Sequence, residues 1–190
     1  MSSVEIRKVT DKKGLKTFIE FHYELYKGNQ YDAPNLYSDE VHTLSKDKNA
    51  AFEFCEGEYF LAYKDNRLVG RVAAIINHRY NKQWERPAVR FGWLDLIDDA
   101  EVLRALLNAV ENYGREKGMK EIIGPLGFTD MDPEGMLTYG FDQLGTMATG
   151  YNYEYYPKLM EQMEGYEKDN DYVEYKLYVP RRAYPRSLSA

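Results

Sequence analysis

Residues 91–122, FGWLDLIDDAEVLRALLNAVENYGREKGMKEI, have a pattern that predicts a strand, a helix and a second strand in immediate succession. A β-prone run predicts the first strand over 87–97. Apolar residues then recur every three or four positions, which predicts an amphipathic helix over 99–117 that ends at Gly118. A short β-prone run at 121–123 follows. Because a strand–helix–strand crossover normally joins parallel strands of one sheet, this segment predicts an α/β fold.

Outward from this unit, the hydrophobic pattern predicts strands over 4–9, 59–63, 68–76 and 172–179, and helices over 15–26, 34–44 and 154–163. Asp11 is expected to cap the first helix. The polar link KDNR between two β-prone runs predicts an antiparallel hairpin. Together with the parallel unit, these elements predict a mixed, mostly antiparallel sheet flanked by helices on both faces.

The composition is that of a globular protein, for which a single domain over 1–180 and an Arg- and Pro-containing tail at 181–190 are predicted. The net charge of −6 and the lack of a Lys/Arg run argue against nucleic-acid binding. No apolar run approaches the roughly 20 residues of a membrane span, so a cytoplasmic protein is expected. The single cysteine, Cys55, excludes an intrachain disulfide and a Cys-rich metal site, and a buried thiol is expected.

The segment 124–142, GPLGFTDMDPEGMLTYGFD, has neither helical nor strand periodicity. Its DMDPEG run resembles the start of a calcium-binding EF-hand loop, but the twelfth position is Phe141, so no metal site is predicted. Two interpretations stay open: a long connection built of turns, or a substrate-binding loop over the sheet edge. In the second, carboxylates hold a cationic amine, with help from Tyr139 and Asn152. These carboxylates are Asp130, Asp132, Glu134 and Asp142.

Asp95 is the other candidate for chemistry. Strict alternation along strand 87–97 places it on one face with Phe91 and Trp93. An acid among aromatic side chains has a raised pKa, which suits a general base. Alternatively, Asp95 pairs with an arginine such as Arg71 or Arg90.

Tyrosines are dense between 139 and 178, and those before the late helix either pack at its start or line a pocket. Asn152 either caps that helix or binds the ligand. His22, His42 and His78 have no metal-ligand spacing and are interpreted as packing or surface residues.

The element order resembles the GNAT superfamily of N-acetyltransferases. The resemblance is carried by RLVGRVAAI at 67–75, by the strand–helix–strand unit at 91–122, and by YYPKLMEQMEGYE at 155–167. FGWLDLIDD, IIGPLGFT and GMLTYGFD are similar to a group of bacterial GNAT-like proteins of unassigned function. The resemblance implies a sheet that opens at its central strand, with acetyl-CoA in the gap.

One motif departs from the family pattern. GNAT proteins bind the cofactor diphosphate through Q/R-x-x-G-x-G/A at the start of the helix that this chain has at 99–117. Here Asp98 replaces the basic or amide residue, and Glu101 and Leu103 replace the two small residues. Carboxylates at a helix N-terminus repel a diphosphate and occupy its N–H donors, so the DDAE segment at 98–101 is expected to cap the helix.

The resemblance implies an acyl-CoA-dependent N-acyltransferase that acts on a small-molecule or peptide amine. Cofactor contacts then fall on Leu94, Leu96, Asp98, Asp99 and Glu101, and the backbone near Leu94–Leu96 polarises the acyl carbonyl. Asp95 is the implied base, and Tyr155 or Tyr156 the implied acid. A non-catalytic GNAT-like ligand-binding or interaction domain, or one lobe of a longer protein, stays open as an alternative, as does a homodimer.

Overall fold

The computed structural model describes residues 3–146, 150–175 and 177–178. One sheet contains the strands Glu5–Lys8 (β1), Cys55–Lys64 (β2), Arg67–Asn77 (β3), Ala88–Leu96 (β4) and Glu121–Ile123 (β5). They lie side by side in sequence order. β1 to β4 pair antiparallel, and β5 pairs parallel to β4. The mixed, mostly antiparallel sheet is confirmed.

Helices cover both faces of this sheet. They are Lys12–Leu25 (α1), Tyr37–Leu44 (α2), His78–Gln83 (α3), Ala100–Glu116 (α4) and Tyr155–Met160 (α5), with a 3-10 turn at Ala50–Glu53. The apolar side of α4 packs with α5 on one face of the sheet, and α1 and α2 pack on the other. We refer to these as the α4 face and the α1 face.

Local chemistry fixes the element boundaries. Asp11 accepts a hydrogen bond from the Gly14 N–H and caps α1, as expected. The hairpin between β2 and β3 turns at Asp65 and Asn66, whose φ angles of 51° and 60° are those of a type I′ turn. Asp99 caps α4 by accepting from the Glu101 and Val102 N–H groups.

β4 contains a bulge that the sequence pattern did not indicate. Ala73 of β3 pairs with Gly92, but Arg71 pairs with Asp95, so β4 has one extra residue between these pairs. Trp93 lies at the bulge with a left-handed φ of 46°. The extra residue reverses the alternation of side chains, and the predicted common face of Phe91 and Asp95 is therefore wrong.

As a result, Phe91 packs on the α4 face together with Leu94 and Leu96. Trp93 packs against the core of the α1 face. Asp95, two residues further on, points to the same side as Trp93 and contacts α1.

The sheet opens beyond the bulge. β5 pairs with β4 only as far as Arg90, and the Leu126 N–H then donates to the Phe91 carbonyl at 2.8 Å. A Cβ at Gly92 would lie 2.5 Å from the Leu126 carbonyl oxygen, so glycine is required for this approach. Past this point, the outer edge of β4 is contacted by α5 instead of β5.

The remaining predicted elements agree with the structure to within a few residues, but three points differ. α3 and the 3-10 turn were not predicted. The final strand predicted over 172–179 is wrong for the described residues 172–175 and 177–178, which are not strand and are exposed. The tail at 181–190 lies outside the described residues.

Candidate functional site

A cavity of about 130 Å³ lies beside the opened edge of β4, on the α1 face. On one side it is lined by α1, by the connection into α2 and by α2 itself. β3 and β4 form its floor, and the segment after β5 and the residues around the start of α5 complete its wall. Its polar lining consists mainly of His22, Asp32, Asn35, Glu40, Arg71, Asp95, Asn152 and Tyr156. The cavity therefore gathers three carboxylates and two basic side chains in one place.

Asp95 is the centre of this group and is 5% exposed. Its Oδ2 accepts from the Arg71 Nε at 2.7 Å and lies 3.1 Å from the His22 Nδ1. Burial opposes ionisation, but the charges of Arg71 and His22 outweigh it and hold the pKa of Asp95 well below its usual range. The expectation of a raised pKa is therefore wrong, because it counted the aromatic neighbours and not the cations. Of the two arginines considered, Arg71 is the partner.

His22 lies between two carboxylates, since its Nε2 is 3.4 Å from the Asp32 Oδ2 and its Nδ1 faces Asp95. Burial favours neutral imidazole, but the charge of Asp95 and the contacts to both carboxylates raise the pKa of His22 to about 9. The interpretation of His22 as a packing or surface residue missed this role. A usable signal was present: His22 falls on the apolar stripe of α1, where a titratable side chain is buried.

The third cavity carboxylate, Glu40 of α2, is 7% exposed and fully engaged. Its Oε1 accepts from the Asn35 Nδ2 at 2.8 Å, and its Oε2 accepts from the Trp93 Nε1 at 2.9 Å. The bulge aims the Trp93 indole at this carboxylate. Neither Glu40 nor Asp32 could be identified as a site residue from the sequence, because only the tertiary fold brings them to the cavity that Asp95 lines.

Tyr155 and Tyr156 close the gap in the sheet. Tyr156 accepts from the Leu96 N–H at 3.1 Å and from the Tyr26 hydroxyl at 2.9 Å, and donates to the Asp95 Oδ1 at 3.3 Å. Tyr155 donates to the Leu96 carbonyl at 2.7 Å. The structure thus brings both predicted acids to β4 and Asp95, and their catalytic role remains a prediction. Burial, and then the charge of Asp95, raise the pKa of Tyr156 far above its usual range, so the hydroxyl keeps its proton.

A tyrosine stack supports this arrangement. Tyr153 is stacked between Tyr26 of α1 and Tyr155 of α5, with ring centroids 4.8 Å and 5.5 Å away. Tyr26 also packs against His22 at 4.6 Å. α1 and α5, which lie on opposite faces of the sheet, are therefore in contact through these tyrosines. Both interpretations of the tyrosines hold, since they pack at the helix start and Tyr156 also lines the cavity.

The segment after β5 returns over the α1 face, held by Phe128. The Phe128 ring is fully buried against Phe52 and Trp93. Its carbonyl accepts from the Asn77 Nδ2 at 2.9 Å, and Arg90 donates to the preceding Gly127 carbonyl at 2.9 Å. Arg90 thus holds this segment rather than Asp95.

The acids of this segment do not face the cavity, although its backbone passes over it at Pro133, Gly135 and Met136. Asp130 and Asp142 are exposed. Asp132 turns back to accept from the Thr129 N–H at 2.9 Å. Glu134 is half-buried, and burial raises its pKa. The expectation that these four carboxylates line the pocket is wrong, as the carboxylates found there come from α2, β4 and the α1–α2 connection.

The two other residues assigned to substrate binding differ from each other. Tyr139 is 90% exposed and points away from the cavity. Asn152 lines the cavity, but its amide is held by the loop: its Oδ1 accepts from the Leu137 N–H at 2.6 Å, and its Nδ2 donates to the Leu137 carbonyl at 3.1 Å. Asn152 therefore fixes the cavity wall.

The N-terminus of α4, where a GNAT protein binds diphosphate, is occupied by the protein's own groups. The Asp99 side chain takes two of its N–H donors. The Lys64 Nζ of β2 bridges Asp99 at 2.7 Å and Glu101 at 3.0 Å. Asp98 is exposed beside them. These residues do not fit a diphosphate, since two of the first-turn N–H donors are taken by Asp99 and the net local charge is negative.

Other classes of site find no support in the described residues. Among residues 3–146, 150–175 and 177–178, no three His, Cys, Asp or Glu side chains form a group able to hold a metal ion. Nor does any helix in this part of the chain have the length and apolarity to cross a membrane. Cys55 is buried as expected, and burial raises the pKa of its thiol to about 11.

Comparison with known proteins fits this architecture. The aminoglycoside N-acetyltransferase AAC(6')-Iy, solved with a bisubstrate analog of CoA and acetylneamine, superposes over 94% of this chain and 100% of its own, with a TM-score of 0.55 and 18% identity. The chain has the GNAT fold. This confirms the resemblance to GNAT proteins found in the sequence. The sheet is interrupted between β4 and β5, which pair only as far as Arg90.

Two curated proteins are similar in sequence to this GNAT-fold chain. Protein YghO of Escherichia coli is 30% identical over 166 residues, which is 87% of this chain and 42% of that protein. The bacterial ceramide synthase of Caulobacter vibrioides is 30% identical over 164 residues, 85% of this chain and 42% of that protein. The chain thus spans less than half the length of the curated relatives it matches. No protein-family model matches it.

Proposed function

We propose that this chain carries the active site of an N-acyltransferase, which transfers an acyl group from a thioester such as acyl-CoA to a primary amine. The observation that carries the proposal is the cavity at the opened edge of β4, where His22, Asp95 and Tyr156 meet beside a stretch of strand that β5 does not pair with. The GNAT fold of a solved acetyltransferase with a bound bisubstrate analog supports the same reaction class.

In this reaction the amine nitrogen attacks the thioester carbonyl. The C–N bond forms, the C–S bond breaks, and the proton lost by nitrogen ends on the departing thiolate. Alternate residues of a strand direct their N–H groups to the same edge. The Leu94 N–H therefore points to the edge that β5 leaves, as the Leu96 N–H does, and we assign Leu94 as the donor to the developing oxyanion.

His22 is the proton-transfer residue in this proposal. With a pKa raised to about 9, its imidazole exchanges a proton nearer to neutral pH than the Asp95 carboxylate or the Tyr156 hydroxyl does. Asp95 stays ionised and Tyr156 stays protonated, so they position His22 and the strand edge rather than act as base and acid. The carboxylates Asp32 and Glu40 supply the negative charge that attracts an ammonium group.

For the acceptor we propose an amine that carries a long aliphatic chain. Ceramide, named in one relative, is the N-acyl amide of a long-chain amino alcohol. Beside the cavity, large apolar side chains are exposed in two segments: Leu36 and Tyr37 follow the lining residue Asn35, and Met131 precedes the lining residue Pro133. An amphipathic amine fits an acidic cavity with an apolar rim.

The test is an acylation assay with octadecanoyl-CoA and sphinganine, with the amide detected by mass spectrometry. The rate should increase with pH up to about 9 as His22 loses its proton. His22→Gln should lower kcat by about 100-fold or more. The matched control is His78→Gln, since His78 is exposed and pairs with Glu56 away from the cavity, and it should leave kcat unchanged. Equal loss in both variants, or no amide at all, would contradict the proposal.

A second function, a GNAT-fold module that binds a ligand without catalysis, is favoured by one observation. The N–H and carbonyl of Leu96 are both hydrogen-bonded to tyrosine hydroxyls, so neither group is open to a thioester. In that case an amine should bind in the cavity and be recovered unchanged after prolonged incubation with acyl-CoA.

A further inference from the structure

The start of α4 is closed to an incoming phosphate by hydrogen bonding. The Asp99 side chain accepts from Glu101 N–H at 2.8 Å and from Val102 N–H at 3.4 Å, and the Asp99 carbonyl accepts from Leu103 N–H at 3.1 Å. A phosphate at a helix N-terminus binds the first-turn N–H groups, such as those of Glu101 and Val102, whereas the Leu103 N–H makes the ordinary helical hydrogen bond. A phosphate would have to displace an ionised carboxylate from the first-turn groups.

The charge at this position also opposes a phosphate. Asp98, Asp99 and Glu101 place three formal negative charges at and just before the first turn, and Lys64 supplies one positive charge. The Lys64 ammonium is shared between Asp99 and Glu101, and its side chain is only 25% exposed. A diphosphate would therefore meet a site with a net charge of about −2, without a free cation from these four groups.

Steric access is limited as well. A diphosphate approaches helix backbone closely where residues lack a bulky side chain, which is why glycine is common at such sites. Here Glu101 covers the first turn with a side chain held by Lys64. Leu103, at the second small-residue position, is 1% exposed and packs in the core of the α4 face.

We propose that the thioester donor is recognised through its acyl and pantetheine portions, and that the diphosphate of coenzyme A does not bind at α4. This inference rests on the proposed function and names its donor class: S-acyl-pantetheine chemistry, with or without an attached nucleotide. β5 pairs with β4 only as far as Arg90, so the Leu94 N–H lies on an edge that β5 does not cover and can meet a pantetheine amide. At α4, by contrast, the Asp99 side chain takes the Glu101 and Val102 N–H groups that would meet the nucleotide diphosphate.

Calorimetry of the protein with CoA and with pantetheine tests this directly. The two dissociation constants should agree to within about threefold. Octadecanoyl-CoA and S-octadecanoyl-pantetheine should then acylate sphinganine with similar kcat/KM, and adenosine 3′,5′-bisphosphate should not inhibit. CoA binding that is tighter than pantetheine binding by about tenfold or more would overturn the inference, even if acylation occurs. Failure of both ligands to bind at millimolar concentration would overturn it too.

A variant tests the physical cause. Asp99→Ser combined with Glu101→Gly keeps a capping hydroxyl but removes two negative charges and one side chain. It should raise the affinity for CoA relative to pantetheine by about tenfold, because the Lys64 ammonium loses both carboxylate partners and the negative charge at the helix start falls. The matched control is Asp11→Ser at the capped start of α1, which should leave this ratio unchanged. An unchanged ratio in the double variant would show that the carboxylates are not what excludes the diphosphate.

The outcomes separate the inference from the proposed function. Acylation with the CoA donor alone, and tight CoA binding, would retain the N-acyltransferase and remove the inference. Equal binding of CoA and pantetheine without any amide product would retain the inference and remove the N-acyltransferase.

Discussion

The two faces of the sheet use the same strands for different purposes. On the α4 face, the core is apolar, with Leu106, Leu107 and Val110 of α4 fully buried against the strands. On the α1 face, Arg71, Asp95 and Glu40 are almost as buried, but each is charged and paired. The bulge at Trp93 separates the two patterns within β4, because it directs Asp95 away from the apolar face. Both faces bury apolar side chains, but the α1 face also holds the paired polar and charged groups that line the cavity.

The largest effect is expected from breaking the ion pair on the α1 face. Asp95→Asn leaves the Arg71 guanidinium buried without its partner and should lower the free energy of unfolding by about 3–5 kcal/mol. Urea unfolding measures this. Asp98→Asn, a matched change at an exposed acid, should stay within about 0.5 kcal/mol of the parent. Adding Arg71→Met to Asp95→Asn should recover part of the loss, and no recovery would argue against an unpaired cation as the cause.

On the α4 face, Leu106→Ala should cost about 3 kcal/mol, since it opens a hole in a fully buried core. Because the two faces have separate cores, this loss of stability should not change the hydrogen bonds and charges around His22 on the α1 face. The pKa of His22, followed by NMR, should therefore not move. Leu144→Ala is the control, because Leu144 is exposed and its truncation should be neutral. A displaced His22 titration would show that the two faces are coupled.

The pH dependence of the free energy of unfolding measures the contribution of the His22 charge. Its pKa is raised from 6.5 to about 9 on folding, so the protonated form is favoured in the folded state. The resulting stabilisation, about 3 kcal/mol, is complete below about pH 6.5 and is lost as the pH rises through 9. Thermal or urea unfolding across this range should show the decline in the parent and in His78→Gln. In His22→Gln, the decline should be absent.

The smallest effect concerns the link between the faces. Tyr156→Phe removes the hydroxyl that joins the Leu96 N–H, the Tyr26 hydroxyl and Asp95, and should cost about 1–2 kcal/mol. Hydrogen exchange at the Leu96 amide should accelerate, whereas exchange in α4 should not. Tyr139→Phe, at an exposed position, serves as the control for loss of a hydroxyl. Unchanged Leu96 protection would mean that the hydroxyl does not close the strand edge.

The fold could be predicted because its signals are local. The period of α4, the caps at Asp11 and Asp99 and the polar hairpin link are all encoded within a few residues. α3 was missed because its six residues bury none of their side chains, so it has no apolar period, and its cap, Asn77, lies at the end of a strand. The last predicted strand failed because β-prone residues form a strand only with a partner.

The site could be predicted only in part, since its contacts span the chain. Asp95, Leu94, Asn152 and Tyr156 were expected at the pocket and line it. His22 and Asp32 reach Asp95 only after α1 has packed on the sheet. A one-residue bulge then decides which face Asp95 occupies, and strict alternation cannot anticipate it. The acids after β5 were misassigned because their side chains satisfy their own turns.

Labelling of Cys55 can report the opening of the segment after β5. The thiol is the chain's single cysteine, and it lies beneath the segment held by Phe128, with its Sγ 3.8 Å from the Phe128 carbonyl. A thiol-specific reagent can reach it only when that segment lifts from the sheet, so the labelling rate counts those openings. Slower labelling in the presence of an amine or a thioester would reveal occupancy of the neighbouring cavity without any knowledge of the product.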